Sequence, residues 1–120
     1  MIKSYLDLIV WQKAIDLALE IYKLVKQLPK DELYVLSDQM RRAAVSIPSN
    51  IAEGQGRSTR KEFIYFLHIA RGSKCELQTQ LILCERLTYL TKDQVLDACN
   101  LLDEIGKMLN ALINSLTTNH

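Results

Sequence analysis

The order of apolar and polar residues along this 120-residue chain follows the period of an α-helix in four stretches. Apolar residues recur at alternating steps of three and four, and such positions lie on one face of a helix. Short connections near Pro29, Gln55 and Tyr89 separate the four stretches. We therefore expect amphipathic helices at about residues 8–28, 32–53 and 60–87, and a fourth from residue 92 onward.

The first predicted helix has two adjoining apolar stripes, which is a wider face than one surface helix needs. One stripe holds Leu8, Trp11, Ile15, Ala18, Tyr22 and Val25, and the other holds Val10, Ala14, Leu17, Ile21, Leu24 and Leu28. We expect cover on two sides, either within a bundle or by another subunit. Asp7 is the expected N-cap of this helix.

The second predicted helix contains Pro48, which removes a backbone donor and costs about 3 kcal/mol in a helix interior. Its inner positions are Leu33, Leu36, Met40, Ala43, Ile47 and Ile51. Because this spacing continues in phase across Pro48, we favour a kink over a helix that ends and restarts. Ser46, Ser49 and Asn50 are placed to bond polar groups freed at the bend, and Gly54 and Gly56 supply the helix stop.

The third and fourth predicted helices each follow a capping-box spacing, Thr59 to Glu62 and Thr91 to Gln94. Lys74 interrupts the inner stripe of the third helix, so its charge must reach solvent or a partner. The inner positions of the third helix are Phe63, Leu67, Ala70, Leu77, Leu81 and Cys84. Those of the fourth are Val95, Ala98, Leu102, Ile105, Leu109, Leu112 and Leu116. We expect a frayed tail at residues 117–120.

Four such helices with short connections predict an all-α fold, an antiparallel up-down-up-down four-helix bundle that forms a single domain over residues 1–120. Charged residues make up 24% of the chain, as in an ordinary globular domain. No apolar run approaches the roughly 20 residues that span a bilayer. Cys75, Cys84 and Cys99 have no paired spacing, and we expect reduced core thiols in a cytoplasmic protein.

The chain carries no motif for catalysis, a cofactor or a metal. Di-iron bundles need Glu-x-x-His pairs, whereas Tyr65 stands three residues before His68, and His120 is terminal. A helical ribonuclease with four to six residues between its arginine and its histidine is disfavoured, because Arg60 and His68 have seven residues between them, one too many. We expect a protein that is not an enzyme; a hydrolase would need a pocket with convergent polar groups.

Basic residues are concentrated between Arg41 and Lys74, where seven stand against two acidic ones. They are Arg41, Arg42, Arg57, Arg60, Lys61, Arg71 and Lys74. If helices 2 and 3 are antiparallel neighbours, we expect these residues to form one positive strip suited to phosphate backbones. The alternative is that several of them pair with Asp38, Glu53, Glu62 or Glu76.

Asn50 and Glu53 are polar residues beside the inner positions Ile47 and Ile51. A buried carboxylate is costly unless it is paired. We therefore expect Glu53 to accept from an arginine or a backbone donor and to hold the turn at Gly54. The rival interpretation is an exposed side chain at a helix end.

The run from Gln39 to Gly54, QMRRAAVSIPSNIAEG, resembles the hallmark segment of the four-helix-bundle proteins encoded in bacterial 23S rRNA intervening sequences. Similar pieces occur at Asp7-Leu8 and at residues 10–14, 63–67, 69–73 and 76–81, so that the resemblance covers roughly residues 5–90. Val35 departs from the family pattern, which usually has glycine there. This departure bears on the start of the second helix.

The resemblance implies a bundle that assembles into a ring-like homopentamer. It also implies kinship with the accessory protein of diversity-generating retroelements, which binds reverse transcriptase and nucleic acid through a basic surface. We accordingly expect a homo-oligomeric protein that is not an enzyme, has no membrane partner, and binds RNA or another nucleic acid through the basic strip. A scaffold that binds a protein, such as a reverse transcriptase, and no nucleic acid is the alternative.

Overall fold

The computed structural model describes residues 4–118, and these form an all-α structure with four long helices and no strand. A short 3-10 turn at Tyr5–Asp7 precedes α1, Ile9–Val25. A second 3-10 turn, Lys30–Glu32, precedes α2, Leu36–Gln55. The helices α3, Arg60–Arg86, and α4, Lys92–Thr118, complete the chain. The predicted fold class and helix count are therefore confirmed.

The two apolar stripes of α1 have different environments. Val10, Ala14, Leu17, Ile21 and Leu24 are buried in the core, and Leu28, just beyond the helix end, is buried with them. In the other stripe, Trp11, Ile15 and Ala18 are only half-buried and Tyr22 is exposed. The bundle thus covers one stripe and leaves much of the other accessible.

Helix α2 passes through Pro48 without a break, so the alternative of a helix that ends and restarts there is wrong. The side-chain amide of Asn50 donates to the Ser46 carbonyl at 2.8 Å and to the Ser46 hydroxyl at 2.9 Å. The Ser46 hydroxyl also contacts the Ser73 hydroxyl at 2.8 Å. Polar side chains near Pro48 therefore have hydrogen-bond partners inside the bundle. The kink itself stays a prediction.

The predicted start of α2 is wrong by one turn. The backbone of Val35 has φ −118° and ψ −94°, which is not helical, and α2 begins only at Leu36. Leu33, predicted to be an inner residue, therefore belongs to the connecting turn and is 44% exposed. The predicted N-cap of α1 is also wrong, since Leu8 rather than Asp7 takes that position.

The predicted frayed tail is likewise helical as far as Thr118, and residues 119–120 lie outside the described part. Near this end of α4, Ile113 is buried, whereas Leu112 and Leu116 are half-buried.

One of the two predicted capping boxes forms in full, and the other forms in part. At the start of α3 the backbone amide of Glu62 donates to Thr59 Oγ1 at 3.1 Å, and that hydroxyl donates to Glu62 Oε1 at 2.9 Å. At the start of α4 the backbone amide of Gln94 donates to Thr91 Oγ1 at 3.2 Å, and Gln94 Oε1 accepts from the backbone amide of Thr91 at 2.8 Å. The box at Thr91 therefore satisfies two backbone donors of its helix start, and the threonine at 59 satisfies one.

Within residues 4–118 the helices pack in a closed cycle, α1 on α2, α2 on α3, α3 on α4 and α4 on α1. The residues that contact each other across neighbouring helices are numbered in opposite directions, which is the order expected of antiparallel packing. The up-down-up-down orientation as a whole stays a prediction. The contacts are Met40 with Cys84, Ser46 with Ser73, Arg71 with Asn110, Lys13 with Glu104 and Gln27 with Gln94. The core runs the length of all four helices.

Gly54 lies where α2 comes closest to α3. A Cβ at this position would be 2.7 Å from Phe66 Cβ and 3.0 Å from Phe63 Cδ1. Real Cβ contacts are longer than this, so only glycine allows the two backbones to approach so closely. Of the two glycines predicted to stop the helix, Gly56 is the C-cap of α2, which ends at Gln55, whereas Gly54 lies inside the helix.

Candidate nucleic-acid interface

The first two basic residues of α2 share one carboxylate. Arg42 Nε lies 3.0 Å from Asp38 Oδ2, and Arg41 NH2 lies 4.0 Å from Asp38 Oδ1. Arg41 also donates to the Leu33 carbonyl at 3.4 Å, and it lines a recess with Tyr22 of α1. Both arginines therefore belong to the α1–α2 side of the bundle, with their charge partly balanced.

Arg57, in the turn between α2 and α3, is also paired. Its guanidinium lies 3.0 Å from Glu53 Oε2 and 3.8 Å from Glu62 Oε2, and it stands over the ring of Phe66 at 5.0 Å from the centroid. The Glu53 side chain is 51% exposed, so its expected burial is wrong, although its expected arginine partner is present. An exposed pair of this kind adds little to stability.

Arg60 and Lys61 occupy the first turn of α3, and both are exposed. Neither takes part in an ion pair formed among residues 4–118. The N-terminus of a helix carries a partial positive charge, so a cation there is unfavourable by about 0.3–1 kcal/mol. These two charges therefore oppose the stability of the helix that carries them.

Arg71 and Lys74 lie further along α3, beside α4. Arg71 donates to Asn110 Oδ1 at 3.0 Å and contacts His68 Nδ1 at 2.9 Å. Lys74 donates to Gln78 Oε1 at 3.2 Å. Its aliphatic chain packs against Gly106, where an added Cβ would be 2.9 Å from Lys74 Cε. The prediction that the Lys74 charge reaches a partner from the inner stripe is confirmed. Neither cation forms an ion pair within residues 4–118, so both keep their net charge.

Four of the five cations of α3 lie towards its N-terminal end and share one side of the helix. At 3.6 residues per turn, Arg60, Lys61, Arg71 and Lys74 fall within an arc of about 140°, and Glu62 and Glu76 fall outside it. Glu85 and Arg86, at the far end of α3, fall within the same arc. We call Arg60, Lys61, Arg71 and Lys74 the α3 basic face. The exposed Lys107 stands one turn before Asn110 on α4, next to this face, and sequence reasoning missed it.

The seven basic residues do not form the single strip that the sequence predicted. Arg41 and Arg42 lie on the α1–α2 side, where they line a recess with Tyr22. Arg71 and Lys74 instead contact Asn110 and Gly106 of α4. The arginines of α2 and of the following turn are paired with acids, as the alternative interpretation held, whereas no residue of the α3 basic face forms an ion pair within residues 4–118.

A recess at the start of α3 adds an aromatic group to this region. It has a volume of about 370 Å³ and is lined by Arg57, Lys61, Glu62, Tyr65 and Phe66. The Tyr65 side chain is 62% exposed, and its ring meets that of Phe66 at 5.2 Å and 83°. By pattern alone, aromatic residues at helical spacing are more often core than exposed. The spacing of Lys61 and Tyr65, one turn apart, is the signal that would have placed Tyr65 outside.

The α1–α2 side carries apolar surface instead. A shallow groove of about 290 Å³ is lined by the half-exposed stripe of α1 and by the Pro48 side of α2. Its lining residues are Tyr5, Trp11, Ile15, Ala18, Val45, Pro48, Ser49 and Ala52. A second recess of about 410 Å³ continues it past Tyr22, Val25 and Leu28. Pro48 therefore lies next to an accessible apolar face.

The titratable groups with altered pKa values lie away from the α3 basic face. Burial, and then the nearby charge of Glu32, raises the pKa of Cys84 from 9.0 to about 11. Burial also raises the pKa of Cys99. A hydrogen bond to Glu32, 2.8 Å from the Tyr89 hydroxyl, raises the pKa of Tyr89. Cys75 is exposed, so the expectation of three core thiols is wrong for that residue.

No cluster of three metal-binding side chains occurs within residues 4–118. Over the same residues, no helix is long and apolar enough to cross a membrane.

These features define an all-α, four-helix protein with a cationic face on its third helix. The chain belongs to the 23S rRNA-intervening sequence protein family, because the model of that family matches residues 6–111. It is similar to a crystal structure of a protein of unknown function from the S23 ribosomal protein family of Bacteroides thetaiotaomicron, with 33% identity and a TM-score of 0.81 over 88% of this chain and 98% of that one. The comparison with curated proteins found no match. The predicted family is confirmed; the retroelement kinship stays a prediction.

Proposed function

We propose that this protein is not an enzyme and that it binds nucleic acid through the α3 basic face. The observation that carries the proposal is the set of four cations on one helix side, none of them balanced by a carboxylate within residues 4–118. Arg60 and Lys61 add to the argument, because their position at a helix N-terminus costs stability. Because these two charges do not stabilise their own helix, we infer that they act on a partner outside the bundle.

The α3 basic face has dimensions that suit a phosphate backbone. Arg60 and Lys74 are fourteen residues apart on one helix, a distance of about 21 Å. Cations in a row of this length neutralise successive phosphates and release counterions, so binding weakens as salt rises. Four contacts on a single strand predict a slope of log K against log salt of about −3 for each subunit engaged.

The experiment is a salt titration of binding to a labelled RNA, followed by fluorescence anisotropy. We expect Arg60→Ala with Lys61→Ala to weaken binding and to reduce the slope by about 1.4, since two phosphate contacts are lost. The matched control is Lys23→Ala with Lys26→Ala, which removes two exposed charges near the end of α1. No binding at low salt, or an equal loss in the control, would overturn the proposal.

We further propose that the protein is a homo-oligomer, with the α1–α2 groove as the contact surface. The half-exposed stripe of α1 supports this, because Trp11, Ile15 and Ala18 line a groove that a second copy would cover. If the groove binds a different surface of the next copy, such head-to-tail contacts form a ring when the rotation between copies closes, and the resemblance implies a pentamer.

Sedimentation velocity of Ala18→Glu tests this assembly. A charge in the groove should give monomers that keep their helical circular dichroism. Leu96→Glu, at an exposed apolar residue of α4, is the control and should leave the assembly intact. A wild-type protein that sediments as a monomer at high concentration would refute the oligomer.

A scaffold that binds a protein, such as a reverse transcriptase, and no nucleic acid is the second candidate. The apolar α1–α2 groove favours it, since exposed apolar patches mark protein contacts. Loss of a co-purifying reverse transcriptase in Ala18→Glu, together with no RNA binding at low salt, would select this candidate. The free thiols of Cys75, Cys84 and Cys99 support a reducing, cytoplasmic location for either function.

A further inference from the structure

We infer that the recess lined by Arg57, Lys61, Glu62, Tyr65 and Phe66 holds an unpaired nucleobase, so that the protein prefers single-stranded nucleic acid to a duplex. This inference rests on the proposed function, because it assigns the strand type bound at the same end of the α3 basic face. It assigns to Tyr65 the role of a stacking platform.

The orientation of the aromatic rings carries the inference. The guanidinium of Arg57 stands over the ring of Phe66 at 5.0 Å, so one face of Phe66 is occupied within the protein. The planes of the Tyr65 and Phe66 rings meet at 83°, and Tyr65 remains 62% exposed. The Tyr65 ring is thus supported by Phe66 and keeps much of its surface accessible. An aromatic ring of this kind, beside a phosphate-binding cation, is what single-strand-binding proteins use to stack a base.

The groups around Tyr65 match the parts of a nucleotide. Lys61 stands one helical turn before Tyr65, on the side of the basic face, where it would contact the phosphate next to a stacked base. The Glu62 carboxylate lies on the other side of the recess and accepts hydrogen bonds, as the exocyclic amine of cytosine requires. Duplex bases are already stacked on each other and offer no free face to Tyr65.

The test compares a labelled single-stranded RNA of about 12 nucleotides, a length within the usual site range, with a blunt duplex of the same length. Anisotropy titrations at one fixed salt concentration give the affinity of each. We expect Tyr65→Ala to weaken binding of the single strand about tenfold, a typical loss for one stacked base, and to leave duplex binding unchanged. Tyr65→Phe, which keeps the ring, should retain the wild-type affinity.

Tyr34→Ala is the control, since Tyr34 is 87% exposed in the turn before α2 and far along the chain from the recess. The salt slope should not change in Tyr65→Ala, because no phosphate contact is lost. That result separates stacking from a general loss of structure or charge.

The possible failures are distinguishable. If Arg60→Ala with Lys61→Ala weakens binding but Tyr65→Ala does not, the nucleic-acid interface stands and the base site is wrong. An equal loss on the duplex, or a similar loss in Tyr34→Ala, would also overturn the base site. If neither RNA binds wild-type protein at low salt, both the proposed function and this inference fail.

Discussion

Replacing Gly54 by alanine should destabilise the bundle, although alanine is the better helix former. The added Cβ would lie 2.7 Å from Phe66 Cβ and 3.2 Å from the Phe63 carbonyl oxygen. Both atoms belong to or adjoin the α3 backbone, so they can move only if the helix moves. Overpacking of this kind costs about 1–3 kcal/mol, and the helical preference of alanine returns at most about 1 kcal/mol. We expect a net loss of about 1–2 kcal/mol.

Gly72→Ala is the matched control within the same pair of helices. Nothing lies within 4 Å of a Cβ built at Gly72, so the substitution should stabilise α3 by about 1 kcal/mol. Gly106 is intermediate, because its added Cβ would meet only the flexible end of Lys74, at 2.9 Å from Cε. The three alanine variants should therefore rank in stability as Gly72→Ala, then Gly106→Ala, then Gly54→Ala.

Urea unfolding followed by circular dichroism measures this ranking, with protein concentration held fixed because assembly shifts apparent stability. The gap of about 2–3 kcal/mol between the outer variants corresponds to roughly 10 °C in melting temperature for a domain of this size. If Gly54→Ala proves as stable as Gly72→Ala, then α2 and α3 do not approach as closely as described. A loss in Gly72→Ala equal to that in Gly54→Ala would instead place another surface against Gly72.

Three further predictions concern caps and thiols. Thr59→Ala should lower the unfolding free energy by about 1 kcal/mol, because it removes the N-cap of α3, whereas Ser58→Ala should change it little in the same urea titration. Cys75 should react with Ellman's reagent in the folded protein, and buried Cys84 only after urea is added. Since burial raises the pKa of Cys84 from 9.0 to about 11, the folded state retains a proton that the unfolded state loses. Stability should therefore fall as pH rises from 9 towards 11, with a shallower fall in Cys84→Ala.

The helices were predictable because their signals are local. An apolar period of three and four, a capping box and a proline or glycine act within one or two turns, and they located α1, α3 and α4 closely. The start of α2 was predicted less well. Leu33 continues the apolar spacing, but the backbone at Val35 leaves the helical region and turns Leu33 outward.

The candidate site was only partly predictable, because charge pairing depends on which side chains meet. All seven basic residues look alike in the sequence, yet Asp38 partly balances the arginines of α2, and Glu53 and Glu62 pair with Arg57. The basic residues in the first turn of α3 contact no carboxylate among residues 4–118. The exposure of Tyr65 was also not predictable, since an aromatic residue in an amphipathic helix is usually part of the core.

The sequence by itself determined that this protein is built of four helices, where three of them lie and which residues cap two of them, because those properties depend on neighbours three or four positions apart. The family was also predictable from the sequence, through the run from Gln39 to Gly54. Only the tertiary structure decided which cations keep their charge, which glycine is needed for close packing and which aromatic ring is exposed. Each of these depends on atoms that lie on different helices, and the packing of the bundle determines their distances.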